Sequence, residues 1–143
     1  IAEAPGASED ETGKPFVGLS GQLLTKIIEN VLKIKRSDVY LTNIVKCHPP
    51  KNRPPSFEEI AACKPFLMEQ ISLIKPRIIV TLGSISYHHL TGEHDAKISQ
   101  IHGSVIPFGE AKLIPTYHPS FLLRNPSAKK DVYQDMLKVK TLL

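Results

Sequence analysis

The chain predicts an α/β protein, a three-layer α/β/α sandwich around a central, mainly parallel four-stranded sheet. Three observations carry this. Short β-branched and apolar runs alternate with segments of helical period, the order that builds a parallel sheet covered on both faces. The runs themselves, such as Ile78-Ile79-Val80-Thr81-Leu82, are apolar at nearly every position, as strands buried on both faces must be. A length of 143 residues, 41% of them hydrophobic, suffices for one domain (1–143) with a single core.

Residues 1–4 are the tail of a first strand. Since Ile1 stands partway along it and is not Met, the chain is expected to be truncated upstream. Pro5-Gly6 turns the chain into an acidic loop (Glu9, Asp10, Glu11) that carries one isolated aromatic, Phe16. From Ser20 to Ile34, the spacing of Leu23, Leu24, Ile27, Ile28, Val31 and Leu32 predicts a helix. Val39 to Val45 is a second buried strand. The loop His48–Pro55 is neither helix nor central strand, because its prolines lack backbone donors. Ser56 with Glu59 forms a capping box opening a helix to about Ile74, with a kink expected at Pro65.

Pro76 ends that helix and Ile78–Leu82 is the next strand. Gly83-Ser84 turns it into a short helix towards Leu90. Residues 92–104 are polar and carry little periodicity. Val105–Phe108 and Lys112–Thr116 read as two short strands about a turn at Gly109. Asn125-Pro126 opens a last helix reaching about Leu142.

Composition narrows the function classes. No apolar run is long enough to cross a bilayer, and no signal-peptide pattern is present. Two cysteines, Cys47 and Cys63, are too few for a disulfide-stapled scaffold, so a reduced, cytoplasmic setting is expected. The net charge of +4 agrees with a polyanion partner without establishing one. Phosphate-loop, dinucleotide-fold and nucleophile-elbow patterns are all missing, which argues against the common nucleotide enzymes and α/β hydrolases.

In a sheet of this kind, ligands bind outside the carboxyl ends of the strands. Those ends hold Glu3-Ala4-Pro5-Gly6, Asn43, Leu82-Gly83-Ser84 and Thr116-Tyr117-His118-Pro119-Ser120. An Asn both donates and accepts, which suits the edge of an amide-like heterocycle, and a His can donate to a developing anion. The same residues admit plainer roles: Asn43 could tie down its own loop, His118 could be a turn residue, and Phe16 could be core. His88, His89, His94 and His102 read as surface.

These residues also occur in family-like blocks. AEAPG (Ala2–Gly6), TGKPFVGLSGQLL (Thr12–Leu24), VYLTNIVKCHPPKNRPP (Val39–Pro55), the LGS turn and TYHPSFLLRNP (Thr116–Pro126) follow in order over nearly the whole chain. Together they resemble the uracil-DNA glycosylases of the iron–sulphur, thermostable bacterial and archaeal type, family 4 of that superfamily. Ala2 replaces the usual leading Gly of the first motif.

The resemblance implies a prokaryotic DNA-repair enzyme that flips uracil out of single- or double-stranded DNA and hydrolyses its N-glycosidic bond, leaving an abasic site. By resemblance, Asn43 reads the polar edge of uracil and Phe16 stacks on the ring, with Ala4 and Gly6 in the same wall. His118 donates to the carbonyl oxygen that gains charge as the C1′–N1 bond breaks. Glu3 and Glu9 are the carboxylates for the sugar and the attacking water, and Glu9 is preferred over Glu3 for the water. Leu122 or Leu123 is the wedge filling the vacated stack. Arg124, Ser84, Ser120, Lys51 and Arg53 hold the DNA backbone.

The family's [4Fe–4S] cluster implies four thiolates, of which Cys47 and Cys63 match two; the other pair would lie upstream of Ile1. An absent or incomplete cluster is therefore expected for this chain. A monomer is expected, and no membrane association. The competing reading is a DNA-binding module that recognises uracil or other lesions without cleaving.

Overall fold

The structure is a computed structural model describing residues 1–143. Its first element, α1 (Ala7–Thr12), occupies the stretch expected to be an acidic loop. Glu9 explains the difference: its side chain accepts from the Gly6 N–H at 3.0 Å, a cap the sequence pattern hid behind charge. Gly13, at φ 72°, ends the turn by donating to the Glu9 carbonyl. The predicted amphipathic helix follows as α2 (Leu19–Ile27), running on as a π-helical stretch over Ile28–Leu32.

The capping box forms as expected. Glu59 N–H donates to Ser56 Oγ at 3.2 Å and Ser56 N–H to Glu59 Oε1 at 2.8 Å, opening α3 (Phe57–Ile74). This helix runs unbroken through Pro65. Then come β1 (Ile78–Leu82), α4 (Ser84–Thr91), the short α5 (Ile98–Ile101), β2 (Ile106–Phe108), β3 (Ala111–Thr116), α6 (Pro119–Arg124) and α7 (Lys129–Leu142).

The sheet holds three strands in the order β1-β3-β2, not four. β1 and β3 are parallel, with Leu82 opposite Thr116, and β2 is antiparallel to β3. The other two expected strands are extended segments docked beside β1. Leu82 N–H donates to the Ile1 carbonyl (2.8 Å), Ala2 N–H to Thr42 (2.9 Å), Ile44 N–H to Ala2 (2.8 Å) and Val45 N–H to Glu3 (3.0 Å). With so few residues facing each other, the pairing closes a single parallel bridge, Ala2 with Asn43, instead of a ladder.

The layers are as predicted. On β3, Leu113 and Ile114 are both fully buried but face opposite ways. Leu113 packs with Ile79, Leu67 of α3 and Tyr87 of α4; Ile114 packs with Leu32, Leu122 and α7's Val132 and Met136. Each such side chain contributes about 1.5–3 kcal/mol by leaving water. A third cluster, Ala2, Phe16, Leu24, Ile28 and Leu82, closes the sheet's first edge. No helix is long and apolar enough to cross a membrane.

Candidate active site

Five parts of the chain, 3–6, 48–53, 82–85, Ile98 and 117–124, line a cavity of about 400 Å³ at the carboxyl ends of β1 and β3. β1 leads into Gly83 and the start of α4, and β3 leads into Tyr117-His118 and the start of α6. The Gly83 N–H donates to the Thr116 carbonyl at 2.9 Å, so the two exits are stitched together. Gly83 sits at φ 88°, and a Cβ there would lie 3.2 Å from the His118 Cβ. Only glycine suits both demands.

His118 is the best-defined polar group in the cavity wall. Its Nδ1 accepts from the Ser120 N–H at 3.0 Å and from the Ser120 hydroxyl at 2.7 Å. With Nδ1 an acceptor twice over, the ring proton is assigned to Nε2. Burial, then the Arg124 guanidinium, push the His118 pKa down to about 4. His118 is thus a neutral imidazole presenting one N–H.

The two carboxylates have unlike surroundings. Glu3 lines the cavity and is half-buried, and that burial raises its pKa. Glu9 is not among the lining residues. Partial burial pushes Glu9 up, but N–H groups of Gly18 (2.7 Å), Val17 (2.9 Å) and Gly6 (3.0 Å) outweigh it and hold its carboxyl below the usual range. Those bonds make Glu9 the clamp of the Phe16 loop, a different placement from the water-positioning one expected.

Asn43 and Phe16 lie one layer behind the cavity wall. Phe16 is 9% exposed, at φ 52°, packed against Leu82, which lines the cavity. The Arg36 guanidinium holds this left-handed turn by donating to the carbonyls of Phe16 (2.8 Å) and Pro15 (2.6 Å). Gly21 lets α2 approach, since a Cβ there would fall 2.2 Å from the Phe16 carbonyl carbon. Asn43 is buried at 8% exposure, and its Oδ1 has no hydrogen-bond partner. An orphaned buried acceptor is costly, about 1–3 kcal/mol, and marks a place where a donor is wanted.

Of the remaining expected residues, Ala4, Gly6, Arg53, Ser84, Ser120 and Arg124 line the cavity. Lys51 is exposed outside it, and Arg53 is paired with Glu59 at 2.6 Å. The wedge alternatives separate cleanly. Leu122 is 1% exposed and packs with Ile114 and Met136, whereas Leu123 is 47% exposed. Leu122 is therefore core.

Two aromatic walls escaped the sequence reading, Tyr117 and Phe121, whose rings stack at 4.9 Å and 14°. Their signal was present: they stand on either side of His118 in the chain. His48 was also missed as a site residue; its Nδ1 lies 2.8 Å from the Pro5 carbonyl and joins two of the loops. His102, expected at the surface, instead bonds to the buried Asp135.

Cys47 is exposed and Cys63 half-buried, both as free thiols. No three His, Cys, Asp or Glu side chains stand together as a metal-binding group. Two thiols fall short of the four thiolates a cubane cluster takes, so this chain's residues do not by themselves fit that group.

The family model of the uracil DNA glycosylase superfamily matches residues 1–138. A type-4 uracil-DNA glycosylase of Sulfurisphaera tokodaii is 44% identical over 149 residues, covering 99% of this chain and 68% of the relative. One from Saccharolobus solfataricus is 44% identical over 150 residues, covering 100% and 69%. Another from Thermotoga maritima is 44% identical over 146 residues, covering 100% and 76%.

Proposed function

Because the chain belongs to the uracil-DNA glycosylase superfamily, we propose that its cavity receives a uracil flipped out of DNA and that His118 makes this base a leaving group. The protein is a hydrolase acting on N-glycosyl bonds, excising uracil from DNA to leave an abasic site. The observation that carries the role of His118 is the double acceptor bond at its Nδ1, which leaves Nε2–H as the free donor of a neutral ring.

As the C1′–N1 bond breaks, its electron pair leaves with uracil and charge gathers on the ring carbonyl oxygen. The Nε2–H donates to that oxygen. A neutral donor stabilises the anion without having to transfer its proton. The sugar becomes oxocarbenium-like. Glu3, the carboxylate in the wall, is placed to stabilise it and to orient the water that adds to C1′, the water's proton passing to Glu3 or to solvent.

A base entering past Leu82 meets Phe16 and Asn43. We assign Phe16 to stacking and the unpartnered Asn43 Oδ1 to the N3–H of uracil. Cytosine has no proton at N3 and would leave that acceptor unpaired, a mismatch worth orders of magnitude in selectivity. On the outer rim, the exposed Leu123 fills the vacated stack, and Ser84 at the start of α4 and Arg124 take the flanking phosphates. Cys47 and Cys63 could supply half of a cluster's ligands; no step of the reaction is routed through it. We place the enzyme in the cytoplasm, acting as a monomer on single- or double-stranded DNA.

The test is uracil release from a single-stranded uracil oligonucleotide, read as strand breaks after alkali. His118→Ala and Asn43→Ala should each lower the rate by about 100-fold or more. Release at the parent's rate by both variants would overturn these roles. Binding without breaks by the parent would favour a non-cleaving lesion-recognition module.

A further inference from the structure

Behind the cavity lies a buried polar cluster that the reaction scheme does not use. Asp135, on α7, is 5% exposed. Its Oδ2 accepts from the Thr116 hydroxyl at 2.7 Å and from His102 Nδ1 at 3.0 Å, with Oδ1 at 3.1 Å from the same nitrogen. These residues come from three separate elements: α7, the end of β3, and the turn after α5.

The backbone around the cluster is tied as closely. The Gly103 N–H donates to the Pro115 carbonyl at 2.8 Å, and the Lys138 ammonium donates to the Gly103 carbonyl at 2.6 Å. Gly103 stands at φ 77°, and a Cβ there would fall 2.4 Å from Asp135 Oδ1. The turn therefore presses its backbone against the carboxylate.

Two links lead from this cluster to the cavity. Thr116 is the last residue of β3, two positions before His118, and its carbonyl accepts from Gly83. The His102 ring lies 5.0 Å from the Tyr117 ring, which stacks on Phe121 in the cavity wall. One carboxylate thus anchors both the backbone from which His118 projects and the ring that backs its neighbour.

We infer that Asp135, His102 and Thr116 are positioning residues, a second layer that sets where the Tyr117-His118 segment stands relative to the base. The inference rests on the glycosylase reading above. None of the three lines the cavity, so their effect passes through Tyr117 and His118. A buried network acts this way when every member is satisfied: it permits one arrangement and penalises its neighbours. A displacement of about 1 Å at a reacting group costs about 100-fold in rate.

Three variants test this. Thr116→Val removes the hydroxyl at nearly constant shape, Thr116→Ser keeps it, and Asp135→Asn replaces the carboxylate. In correctly folded protein, Thr116→Val and Asp135→Asn should lower kcat by about 10- to 100-fold with KM within about twofold. Thr116→Ser should stay within about threefold of the parent. The second readout is the nitrogen NMR signature of His118. The parent should show one tautomer with the proton on Nε2, and Thr116→Val a shifted or mixed signal.

Should Asp135→Asn fail to fold, the Thr116 pair decides. Unchanged kcat and an unchanged His118 signal in folded Thr116→Val would overturn the inference, as would equal losses in the Ser and Val variants. A parent that releases no uracil sinks the glycosylase reading instead, and the His118 signal then decides the positioning role alone.

Discussion

Protonating His118 is the perturbation whose consequence follows most directly from the structure. The neutral ring accepts at Nδ1 from both the N–H and the hydroxyl of Ser120, so a proton added there faces a backbone donor 3.0 Å away. Burial supplies the main further penalty, and the pKa falls from 6.5 to about 4. That difference corresponds to about 3 kcal/mol between the folded and unfolded protonation equilibria.

The sign is set by proton uptake. Between pH 6.5 and about 4 the unfolded chain binds a proton at His118 and the folded chain does not. Stability contributed by the neutral ring is therefore present above pH 6.5, falls as the pH drops through this window, and levels off below about 4. The limb of the activity profile set by the neutral His118 ring should therefore lie near pH 4. The assay is kcat/KM on a single-stranded uracil oligonucleotide from pH 8 to 3.5 at constant ionic strength, paired with urea unfolding of the parent and His118→Gln. Glu3 adds its own acid limb, because burial raises its pKa, and repeating the profile on Glu3→Gln separates the two. A His118 titration midpoint near 6.5 by NMR, or a stability difference between parent and His118→Gln that does not change with pH, would refute the reasoning.

Three further outcomes are expected. Leu123→Ala should weaken DNA binding and leave the unfolding midpoint nearly unchanged, whereas Leu122→Ala, emptying a 1%-exposed site, should cost about 2–5 kcal/mol of stability in denaturant titration. Glu9→Gln should destabilise by about 1–3 kcal/mol, allowing for solvent screening of a partly buried clamp, with the difference lost at acid pH as the carboxylate protonates; Glu3→Gln should instead reduce kcat with little change in stability. Gly83→Ala should lower both stability, by about 1–3 kcal/mol, and uracil release, since its φ of 88° and the 3.2 Å approach to His118 are strained together.

Legibility from sequence divided along the range of the interactions involved. The Ser56–Glu59 box, the strand ends at Leu82 and Thr116, and the glycine turn at Gly83 were readable because each depends on neighbours a few residues away. The Glu9 cap of α1 was equally local and was missed, because three consecutive acids look like a solvated loop. Composition predicts strands at residues 1–4 and Val39–Val45 but reports only that a run can pair, not over how many residues it finds a partner, and the structure pairs them through one bridge. Asn43 and Phe16 were picked out by motif, while their position one layer behind the cavity depends on Leu82 and Ala2, which come from other parts of the chain.

By itself the sequence determined the α/β order, the strand ends where a site could form, and a His-Pro-Ser turn whose i to i+2 spacing brings Ser120 onto His118. Only the tertiary structure decided that His118 is neutral, that Leu123 and not Leu122 faces outward, that Glu3 and not Glu9 lines the cavity, and that Asp135 reaches His102 across 33 residues. The physical reason is common to all four. Desolvation and side-chain direction are properties of everything packed around a residue, and most of those neighbours are far away in the chain.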